Sequence, residues 1–424
     1  MAHTAHERSL YRNLGRAAPA GVEGSVAHGY EALAETFAAH LRQRLEVGAA
    51  LTVYRRGACV VDLWGGVADQ ASRSPWRRDT RAVVFSVTKG LAAMALALLA
   101  DRGELEWDAP VTTLWPEFGA AGKEAITLRT LFNHRAGLCA LDEVLDLDDF
   151  TRPDQKPRIE EILARSAPLW TPGERQGYHA TTYGMYLNAV FERIRGESVG
   201  DFLKRELFEP LDADVSLGTP ASEDARIATL YPPRNGARVA NMVRAYFAGD
   251  NTEARIFRSV LSRGSLSRRA FLSPRTGPEG INAYNRPEVR RQCLPWASAT
   301  ASAHGVARAY LPFAQGGAHG GVPYLKAATL EPVYARQGWS DRDLVLQKPL
   351  GWSQGFLKED AGVFSPVLES FGHAGIGGSL GWCDPVNGLT FGYVMNALDW
   401  RVRSPRAVAL CDALYRCEAL RDRA

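Results

Sequence analysis

The spacing of apolar residues changes along the chain and separates its two ends from its middle. Residues 28–47 carry an apolar residue at every third or fourth position and stop at Gly48, which predicts a helix. Residues 49–54 and 59–63 are rich in apolar and β-branched residues, and the polar residues 55–57 lie between them. This pattern predicts a β-hairpin directly after the first helix.

The most apolar stretch of the chain comes after the hairpin and a polar loop. Residues 90–99 consist only of Gly, Ala, Leu and Met, and the last three of these are strong helix formers. The stretch therefore predicts a buried helix. Val83-Val84-Phe85 is interpreted as an extended segment, so we expect Ser86 where an extended chain turns into a core helix.

Strand patterns fade between about residue 107 and residue 337, where helical stretches alternate with loops rich in Pro, Gly and Arg. The helices predicted in this middle part cover residues 128–133, 159–166, 183–195, 199–208 and 303–314. The strands predicted after it cover residues 344–346, 369–373, 379–383 and 389–396, and a last helix covers residues 404–420. Residues 216–291 are the least periodic part of the chain.

Strands at both ends around a helical middle predict one antiparallel sheet that both ends of the chain build, with a helical region inserted. The predicted fold class is α+β, with helices flanking the sheet. We expect residues 1–106 and 338–424 to form the sheet domain, and residues 107–337 to form a mostly helical domain. The active site is expected between the two domains.

Composition and charge are those of an ordinary globular protein. The 424 residues are 46% hydrophobic and 23% charged, and 50 basic against 47 acidic residues leave a net charge of +3 without a basic stripe. We therefore expect no nucleic-acid partner. The longest apolar run, residues 91–100, is too short to cross a bilayer, and residues 1–20 hold no apolar stretch of signal-peptide length. The prediction is a cytoplasmic protein without a membrane partner, and the oligomeric state is left open.

The cysteines lack the spacing of metal ligands. Six of them are scattered along the chain, at Cys59, Cys139, Cys293, Cys383, Cys411 and Cys417. In a reducing compartment such cysteines are expected to be free thiols, and Cys383 to be a small buried residue. We predict neither a metal nor another cofactor.

A serine and a lysine three positions apart, Ser86 and Lys89, stand at the head of the apolar helix. Residues i and i+3 share a helix face, so the amine can reach the hydroxyl. Burial at the base of the helix lowers the pKa of a lysine, and a neutral amine beside a hydroxyl is a base. The pattern indicates a lysine-activated serine nucleophile, and the alternative is a solvated pair on a helix surface.

Two further stretches carry possible site residues. Trp170-Thr171-Pro172-Gly173-Glu174 is typical of a tight turn, and it delivers Tyr178 to a loop before a helix, where a phenol can face a cleft. Near the C-terminal end, a strand that contains His373 continues into Gly375, Gly377 and Gly378. Glycine lets a substrate approach a strand edge, and an exposed N–H there can hold an oxyanion.

Taken together these motifs carry a family resemblance. In chain order they are Ser86-Val87-Thr88-Lys89, His134-Arg135-Ala136-Gly137-Leu138, Pro172-Gly173 ahead of Tyr178, and His373-Ala374-Gly375. The chain resembles the serine β-lactamase and penicillin-binding protein superfamily over roughly residues 51–398. Within the superfamily it is most similar to the class C β-lactamase-like esterases known as family VIII carboxylesterases.

The resemblance implies a role for each matching residue. Ser86 corresponds to the nucleophile that becomes acylated, and Lys89 to the residue that holds or removes its proton. Tyr178 matches the tyrosine that shares the base role and later delivers the proton to the leaving group. The backbone N–H groups of Ser86 and Ile376 match the two oxyanion-hole donors. The resemblance implies no metal.

Two departures from the class C β-lactamase pattern bear on the substrate. Ala180 stands where that pattern has an Asn that contacts the substrate amide. His373, a weaker and pH-dependent cation, replaces the Lys that contacts the substrate carboxylate. Both changes remove groups that recognise a β-lactam, so an ester is expected. The expected substrate-binding positions are these two residues, Gly375 and Trp352. Trp352 and Trp382 are expected either to form an apolar wall for the substrate or to pack in the core.

Two Gly-x-Ser-x-Gly strings suggest an α/β-hydrolase at first sight, one around Ser353 and one around Ser379. That fold requires a strand, a sharp turn and a helix, with Asp and His following the serine. No histidine follows Ser379, and a poor helix follows Ser353, so we expect neither serine to be the nucleophile. His134 is expected to order a turn, and His179 has no assigned role.

The sequence thus predicts a serine hydrolase that cleaves small-molecule carboxylic esters through an acyl-enzyme on Ser86. Three alternatives use the same acyl-enzyme: an acyltransferase, an amidase and a weak β-lactamase. A scaffold without turnover is a fourth alternative, against which the joint presence of Ser86, Lys89 and Tyr178 argues.

Overall fold

The computed structural model of the chain describes residues 16–19, 21–233, 249, 251–358, 362–401 and 403–421. Its main sheet has eleven strands, and every pairing within it is antiparallel. The strands are β1 (Arg16–Ala17), β2 (Glu23–Val26), β3 (Gly48–Arg55), β4 (Ala58–Asp69), β5 (Ser74–Pro75), β6 (Gly338–Ser340), β7 (Leu350–Ser353), β8 (Phe356–Lys358), β9 (Phe371–Ala374), β10 (Leu380–Asp384) and β11 (Leu389–Met395). Their spatial order is β1-β2-β4-β3-β11-β10-β9-β8-β7-β6, with β5 beside β4.

Both ends of the chain meet at the centre of this sheet. β3 pairs with β11 over seven registered residue pairs, from Ala49↔Met395 to Arg55↔Leu389. The fold prediction of an antiparallel sheet built from the two ends is therefore confirmed. β11 is buried along its whole length, and β3 along all but its last residue. Continuous apolar runs are typical of strands whose two faces are both covered.

Close helix packing covers one face of the central strands. The helix Ala303–Ala309 packs on both β3 and β11. A Cβ atom at Gly392 would stand 2.1 Å from the carbonyl oxygen of Ala303 and 2.9 Å from the amide nitrogen of Ala307. Glycine at this position therefore sets how near the helix lies to the sheet.

The α-helices surround the sheet and fill the middle of the chain. They are α1 (Glu31–Arg42), α2 (Val87–Asp101), α3 (Leu128–Phe132), α4 (Lys156–Arg165), α5 (Thr182–Arg195), α6 (Val199–Leu203), α7 (Thr252–Leu261), α8 (Leu266–Phe271), α9 (Pro287–Arg290), α10 (Ala303–Ala309), α11 (Leu311–Ala314), α12 (Ala327–Tyr334), α13 (Pro405–Tyr415) and α14 (Glu418–Arg421). Short 3₁₀ turns lie at Val111–Thr113, Pro116–Gly119, Leu147–Thr151, Pro153–Gln155, Ala221–Arg226, Gly277–Asn285 and Ile376–Gly378, and a π-helical turn at Lys204–Phe208.

Small strand pairs complete the secondary structure of the residues that the structure describes. Ala82–Val83 and Val215–Ser216 both pair with Thr300–Ala301, and Ala318–His319 pairs with Val322–Pro323.

Helix α2 confirms the prediction of a buried helix after Ser86. Every residue from Val87 to Leu99 is buried. The helix packs against β8 and β9 of the sheet and against α6 of the middle part. Ser86, at its N-terminal end, therefore lies where the sheet and the helical part meet. The division into residues 1–106 with 338–424 and residues 107–337 stays a prediction.

Several predicted helix ends differ from those in the structure. The first helix stops at Arg42 rather than running to Gly48. The predicted helix over residues 303–314 splits after Ala309, because Pro312 has no N–H to continue the ladder. The predicted helix over residues 199–208 changes to a π-helical turn after Leu203.

The predicted strand over residues 344–346 is wrong. These residues form a turn, in which Oδ1 of Asp343 accepts hydrogen bonds from the amides of Val345 and Leu346, each at 2.9 Å. Asp favours this local arrangement over strand pairing. The nearby strands β6, β7 and β8 are three or four residues long, too short for a clear alternation, and the sequence did not predict them.

Within the described residues, no helix is both long enough and apolar enough to span a membrane. The cytoplasmic location stays a prediction.

Candidate active site

Ser86 stands after a sharp bend between a short strand and helix α2. The strand Ala82–Val83 precedes it, and Phe85 has a φ of +47°, in the left-handed region that residues other than Gly rarely adopt. The extended conformation predicted for residues 83–85 is therefore wrong at Phe85. The amide of Val84 is held by a 2.9 Å hydrogen bond to the carbonyl of Ala299. After this bend the main chain enters helix α2 at Ser86. Ser86 is only 8% exposed.

Lys89 lies beneath Ser86, one helical turn further along, and is fully buried. Its Nζ is 3.1 Å from Oγ of Ser86 and donates to the carbonyl oxygen of Trp296 at 2.9 Å. No carboxylate among the described residues forms an ion pair with it. Burial therefore lowers the pKa of Lys89 well below its usual value, which favours the neutral amine.

Tyr178 completes the group around Oγ of Ser86. Its hydroxyl donates to this oxygen at 3.1 Å, and its ring stacks on Trp352 with centroids 5.7 Å apart. The Nζ of Lys89 also lies 5.1 Å from the centre of the Tyr178 ring. Burial raises the pKa of Tyr178, so the phenol is neutral near pH 7. The structure thus brings the three predicted catalytic side chains together.

Asp343 fixes the main chain at Tyr178, and sequence reasoning missed it. Its carboxylate accepts the amide of Tyr178 at 3.1 Å, in addition to the two amides of its own turn. Gln176 donates to the other carboxylate oxygen at 3.4 Å. Asp343 is fully buried and lies 165 residues beyond Tyr178. An Asx turn at Asp343 could have been inferred from the sequence, but its contact with Tyr178 could not.

His373 lies on β9 beside the other site residues and is 3% exposed. Its Nδ1 donates to the carbonyl of Ala374 at 2.8 Å. Burial lowers the pKa of His373 well below the usual value. The expectation of a pH-dependent cation at this position is therefore wrong, because the imidazole is neutral at physiological pH.

Two backbone amides face the site without an internal partner. In the part of the chain that the structure describes, neither the N–H of Ser86 nor the N–H of Ile376 donates to a protein acceptor. Ile376 begins the 3₁₀ turn that follows β9, and both residues line one cavity. Helix α2 also directs the positive end of its dipole toward Ser86. Such free donors can stabilise a negative oxygen.

Gly375 places the turn against the strand before Ser86. A Cβ atom here would stand 2.2 Å from Oγ of Ser379 and 2.4 Å from the carbonyl oxygen of Val84. The main chain of Gly375 lines the cavity, as predicted, but protein atoms fill the space where its side chain would be. Glycine is therefore required here for packing rather than for the approach of a substrate.

A cavity of about 180 Å³ opens beside Ser86. Its apolar wall comprises Phe271, Leu346, Leu350, Trp352, Leu357, Ile376 and Trp400, and its polar wall comprises Ser86, Tyr178, Lys348, His373, Asp399 and Arg401. Trp352 lines the cavity and is itself fully buried, whereas Trp382 is buried and lies outside the lining. Ala180 is also buried outside the described lining, so its prediction as a substrate contact does not agree with the structure.

Comparison with known proteins assigns the chain to a family. The sequence profile of the family described as Beta-lactamase matches residues 33–413. The chain belongs to the Beta-lactamase family.

Relatives of known sequence agree with this assignment. The Esterase/beta-lactamase LipL of Mycobacterium tuberculosis is 33% identical over 383 residues, which are 89% of this chain and 83% of that protein. The Esterase EstB of Burkholderia gladioli is 32% identical over 210 residues, or 45% of this chain and 52% of that one. The resemblance found in the sequence is thereby confirmed.

Solved structures of family members have the same fold. A penicillin-binding protein homologue from Caulobacter crescentus superposes with a TM-score of 0.79 at 32% identity, over 93% of this chain and 99% of that one. A family VIII carboxylesterase superposes with a TM-score of 0.77, also at 32% identity and over the same shares of the two chains.

The two Gly-x-Ser-x-Gly strings have structural roles in this member of the family. Ser353 is on β7 and donates to the carbonyl of Pro332 at 2.6 Å. Ser379 donates to the carbonyl of Val84 at 2.9 Å. Both serines are buried, and each hydroxyl proton is already used by a main-chain acceptor. Neither serine has the Lys and Tyr partners that Ser86 has.

The two histidines near Tyr178 belong to the packing behind it. His134 has a φ of +60°, and its Nδ1 accepts the amide of His179 at 2.9 Å, so it orders the turn as expected. The Nε2 of His179 accepts the amide of Leu138 at 3.1 Å. Both histidines are fully buried, and burial lowers the pKa of His179 to about 3.

All six cysteines are free thiols, as predicted, and Cys383 is buried. Among the described residues, no group of three or more His, Cys, Asp and Glu side chains is arranged to hold a metal ion.

Proposed function

We propose that this protein is a serine hydrolase that cleaves carboxylic esters through an acyl-enzyme on Ser86. One observation carries the proposal: Oγ of Ser86 lies 3.1 Å from Nζ of Lys89 and 3.1 Å from the hydroxyl of Tyr178. A hydroxyl between a desolvated amine and a phenol has both a base to take its proton and an acid to return it.

In the acylation step, Oγ of Ser86 attacks the ester carbonyl and gives its proton to the neutral amine of Lys89. The new bond joins Oγ to the carbonyl carbon, and the amides of Ser86 and Ile376 hold the negative oxygen that develops. The bond from carbon to the alcohol oxygen then breaks. Tyr178 delivers the proton to the leaving alkoxide and recovers one from Lys89.

In the deacylation step, water attacks the acyl ester of Ser86. The neutral amine of Lys89 takes the proton of this water, and the two amides again hold the negative oxygen. The bond from carbon to Oγ breaks, and the proton returns to Oγ. The free acid leaves, and the protein is back in its starting protonation state.

The cavity favours an ester with an apolar group. The neutral imidazole of His373 offers no cation for the carboxylate of a β-lactam at this position. Ile376 and Trp400, neither of which is buried, supply apolar surface near Ser86. The names of the relatives LipL and EstB, both esterases, support the same substrate class.

A second candidate reaction, β-lactam hydrolysis by the same acyl-enzyme, is favoured by the name of the Mycobacterium tuberculosis relative, which joins esterase and β-lactamase. Acyl transfer to alcohols or amines is a further outcome of the same intermediate. Product analysis of an ester reaction with added alcohol or amine distinguishes transfer from hydrolysis. Turnover of a chromogenic β-lactam measures β-lactam hydrolysis.

The test is covalent labelling with a fluorophosphonate probe, followed by mass spectrometry of the labelled peptide. We expect the adduct on Ser86, and we expect Ser86→Ala to lose both labelling and turnover of a short-chain nitrophenyl ester. Ser353→Ala and Ser379→Ala are matched controls that should still be labelled at Ser86. A folded protein that carries no adduct on Ser86 would favour the scaffold alternative, and an adduct on Ser379 would overturn the choice of nucleophile.

A further inference from the structure

A buried arginine outside the cavity donates hydrogen bonds to two main-chain segments near the cavity. Arg406 is on the first turn of α13 and is 5% exposed. Its Nη2 donates to the carbonyl of Gly377 at 2.9 Å and to the carbonyl of Ala397 at 2.7 Å. Its Nη1 donates to the carbonyl of Leu45 at 2.8 Å and to the carboxylate of Glu46.

The first of these acceptors belongs to the turn that carries a proposed oxyanion donor. Gly377 directly follows Ile376, and its carbonyl also accepts the amide of Asp399 at 2.9 Å. The second acceptor, Ala397, precedes the segment with Asp399 and Trp400, two residues of the cavity wall. One guanidinium thus holds both the oxyanion turn and the carbonyl of Ala397, which lies two residues before Asp399.

The guanidinium of Arg406 is itself positioned by an ion pair with Glu46. The carboxylate of Glu46 is fully buried, accepts Arg406 on one oxygen and accepts the hydroxyl of Tyr393 on the other. Arg406 cannot lose its proton, and its planar fork has donors enough for several fixed acceptors at once. Glycine at position 377 lets the turn pack closely against Leu398, since a Cβ atom there would stand 2.4 Å from the Leu398 side chain.

We propose that Arg406 is a positioning residue, which holds the 376–378 turn so that the amide of Ile376 points at the developing oxyanion. This inference rests on the proposed function of Ser86. Because Arg406 touches neither the substrate cavity nor Ser86, its effect passes through the carbonyl of Gly377. The binding of the substrate before reaction depends on the cavity wall, whereas stabilisation of the transition state depends on the amide.

The decisive variant is Arg406→Lys. An ammonium keeps the charge opposite Glu46 but lacks the fork that spans the carbonyls of Gly377 and Ala397. We expect kcat for a nitrophenyl ester to fall at least tenfold, with KM within twofold of the native value. The affinity of a boronic acid that forms a tetrahedral adduct with Ser86 should fall in parallel with kcat/KM, a readout that a merely structural role would not move.

Arg308→Lys is the matched control, because Arg308 is also buried and also donates to a main-chain carbonyl, that of Leu211 at 2.6 Å, away from the cavity. It should keep native kcat. The proposal is overturned if folded Arg406→Lys keeps kcat within twofold, if only KM changes, or if Arg308→Lys loses as much kcat.

If Arg406→Lys does not fold, the variant Glu46→Gln tests the positioning role of Arg406 instead. Burial raises the pKa of Glu46 to about 7, so kcat is compared at pH 9, where the native carboxylate is charged and faces Arg406, Tyr393 and Asp399. We expect a several-fold loss of kcat at unchanged KM, and an unchanged kcat would overturn the proposal. Fluorophosphonate labelling of Ser86 in the native protein separates failure of this inference from failure of the proposed function.

Discussion

Lys89 shows how a single buried side chain acquires a chemical role. Its amine is removed from water, and among the described residues its hydrogen-bond partners are a hydroxyl and a carbonyl, not a carboxylate. Both partners are neutral, so nothing repays the cost of burying a positive charge. The sequence could predict this property, because an apolar run that begins at the residue after Lys89 must bury the base of the helix. It could not reveal the carbonyl of Trp296, which comes from 207 residues further along the chain.

The first prediction concerns the variant Lys89→Met. Turnover should fall by about 10²–10⁴-fold, the usual contribution of a general base. The folded pKa of Lys89 lies well below its unfolded value of about 10.4, so between the two values the unfolded chain binds a proton that the native protein lacks. The free energy of unfolding of the native protein should therefore drop by up to about 1.4 kcal/mol for each pH unit lowered in that range.

The variant has no such proton, so its stability relative to the native protein should increase from pH 10 to pH 8. Urea unfolding at several pH values measures this. The exposed Lys204→Met is the control, and its unfolding free energy should follow that of the native protein. Parallel curves for Lys89→Met and the native protein would show that Lys89 is charged in the folded state.

At the scale of elements, the site is built by connections rather than by the helices and strands themselves. The left-handed bend at Phe85, the Asx turn of Asp343 and the 3₁₀ turn after β9 place Ser86, Tyr178 and Ile376. The sequence predicted the long elements next to them, because a buried helix and a buried strand carry clear apolar periodicity. It did not predict the bend at Phe85 or the turn at 344–346, where a side chain or a distant carbonyl, rather than periodicity, decides the conformation.

The second prediction tests the turn after β9 through Gly375→Ala. The added methyl group would overlap Oγ of Ser379 and the carbonyl of Val84, so the turn must move away from the strand that leads to Ser86. Loss of one oxyanion donor typically costs about 10²–10³-fold in kcat. We expect a loss of at least tenfold, measured with a nitrophenyl ester on protein whose fold is checked by circular dichroism.

Adding Ser379→Ala to this variant removes one overlap and leaves the main-chain overlap with Val84. The double variant should therefore stay impaired, while Ser379→Ala alone should be active. Native kcat in Gly375→Ala would contradict the packing role given to this glycine.

At the scale of the whole molecule, the pairing of β3 with β11 decides the architecture. The sequence predicted both strands, because they are rich in apolar and β-branched residues, and it predicted their common sheet, because strand patterns stand on both sides of a helical middle. It could not predict that helix α10 would approach the sheet so closely that only glycine fits at position 392. This contact joins residues that are far apart in the chain, so no local sequence pattern can predict it.

The third prediction is that Gly392→Ala destabilises the fold. Its methyl group would overlap the carbonyl of Ala303 and the amide of Ala307, and such overpacking costs about 1–3 kcal/mol. The urea midpoint should fall, whereas kcat of the folded fraction should stay near native. Thr390→Val on the same strand is the control.

The buried hydroxyl of Thr390 has no hydrogen-bond partner among the described residues, so its removal should leave stability unchanged or raise it. An unchanged midpoint in Gly392→Ala would mean that α10 can move away from the sheet at little cost.

The hydrogen bond from Ser379 to the carbonyl of Val84 spans 295 residues of chain. During synthesis the ribosome therefore releases the nucleophile and its amine long before the segment that brings the second amide donor. Until residues 376–379 have been synthesised, the chain lacks the amide of Ile376, and the site around Ser86 is incomplete. The proposed hydrolysis therefore requires the C-terminal part of the chain, because the turn after β9 supplies the second oxyanion donor.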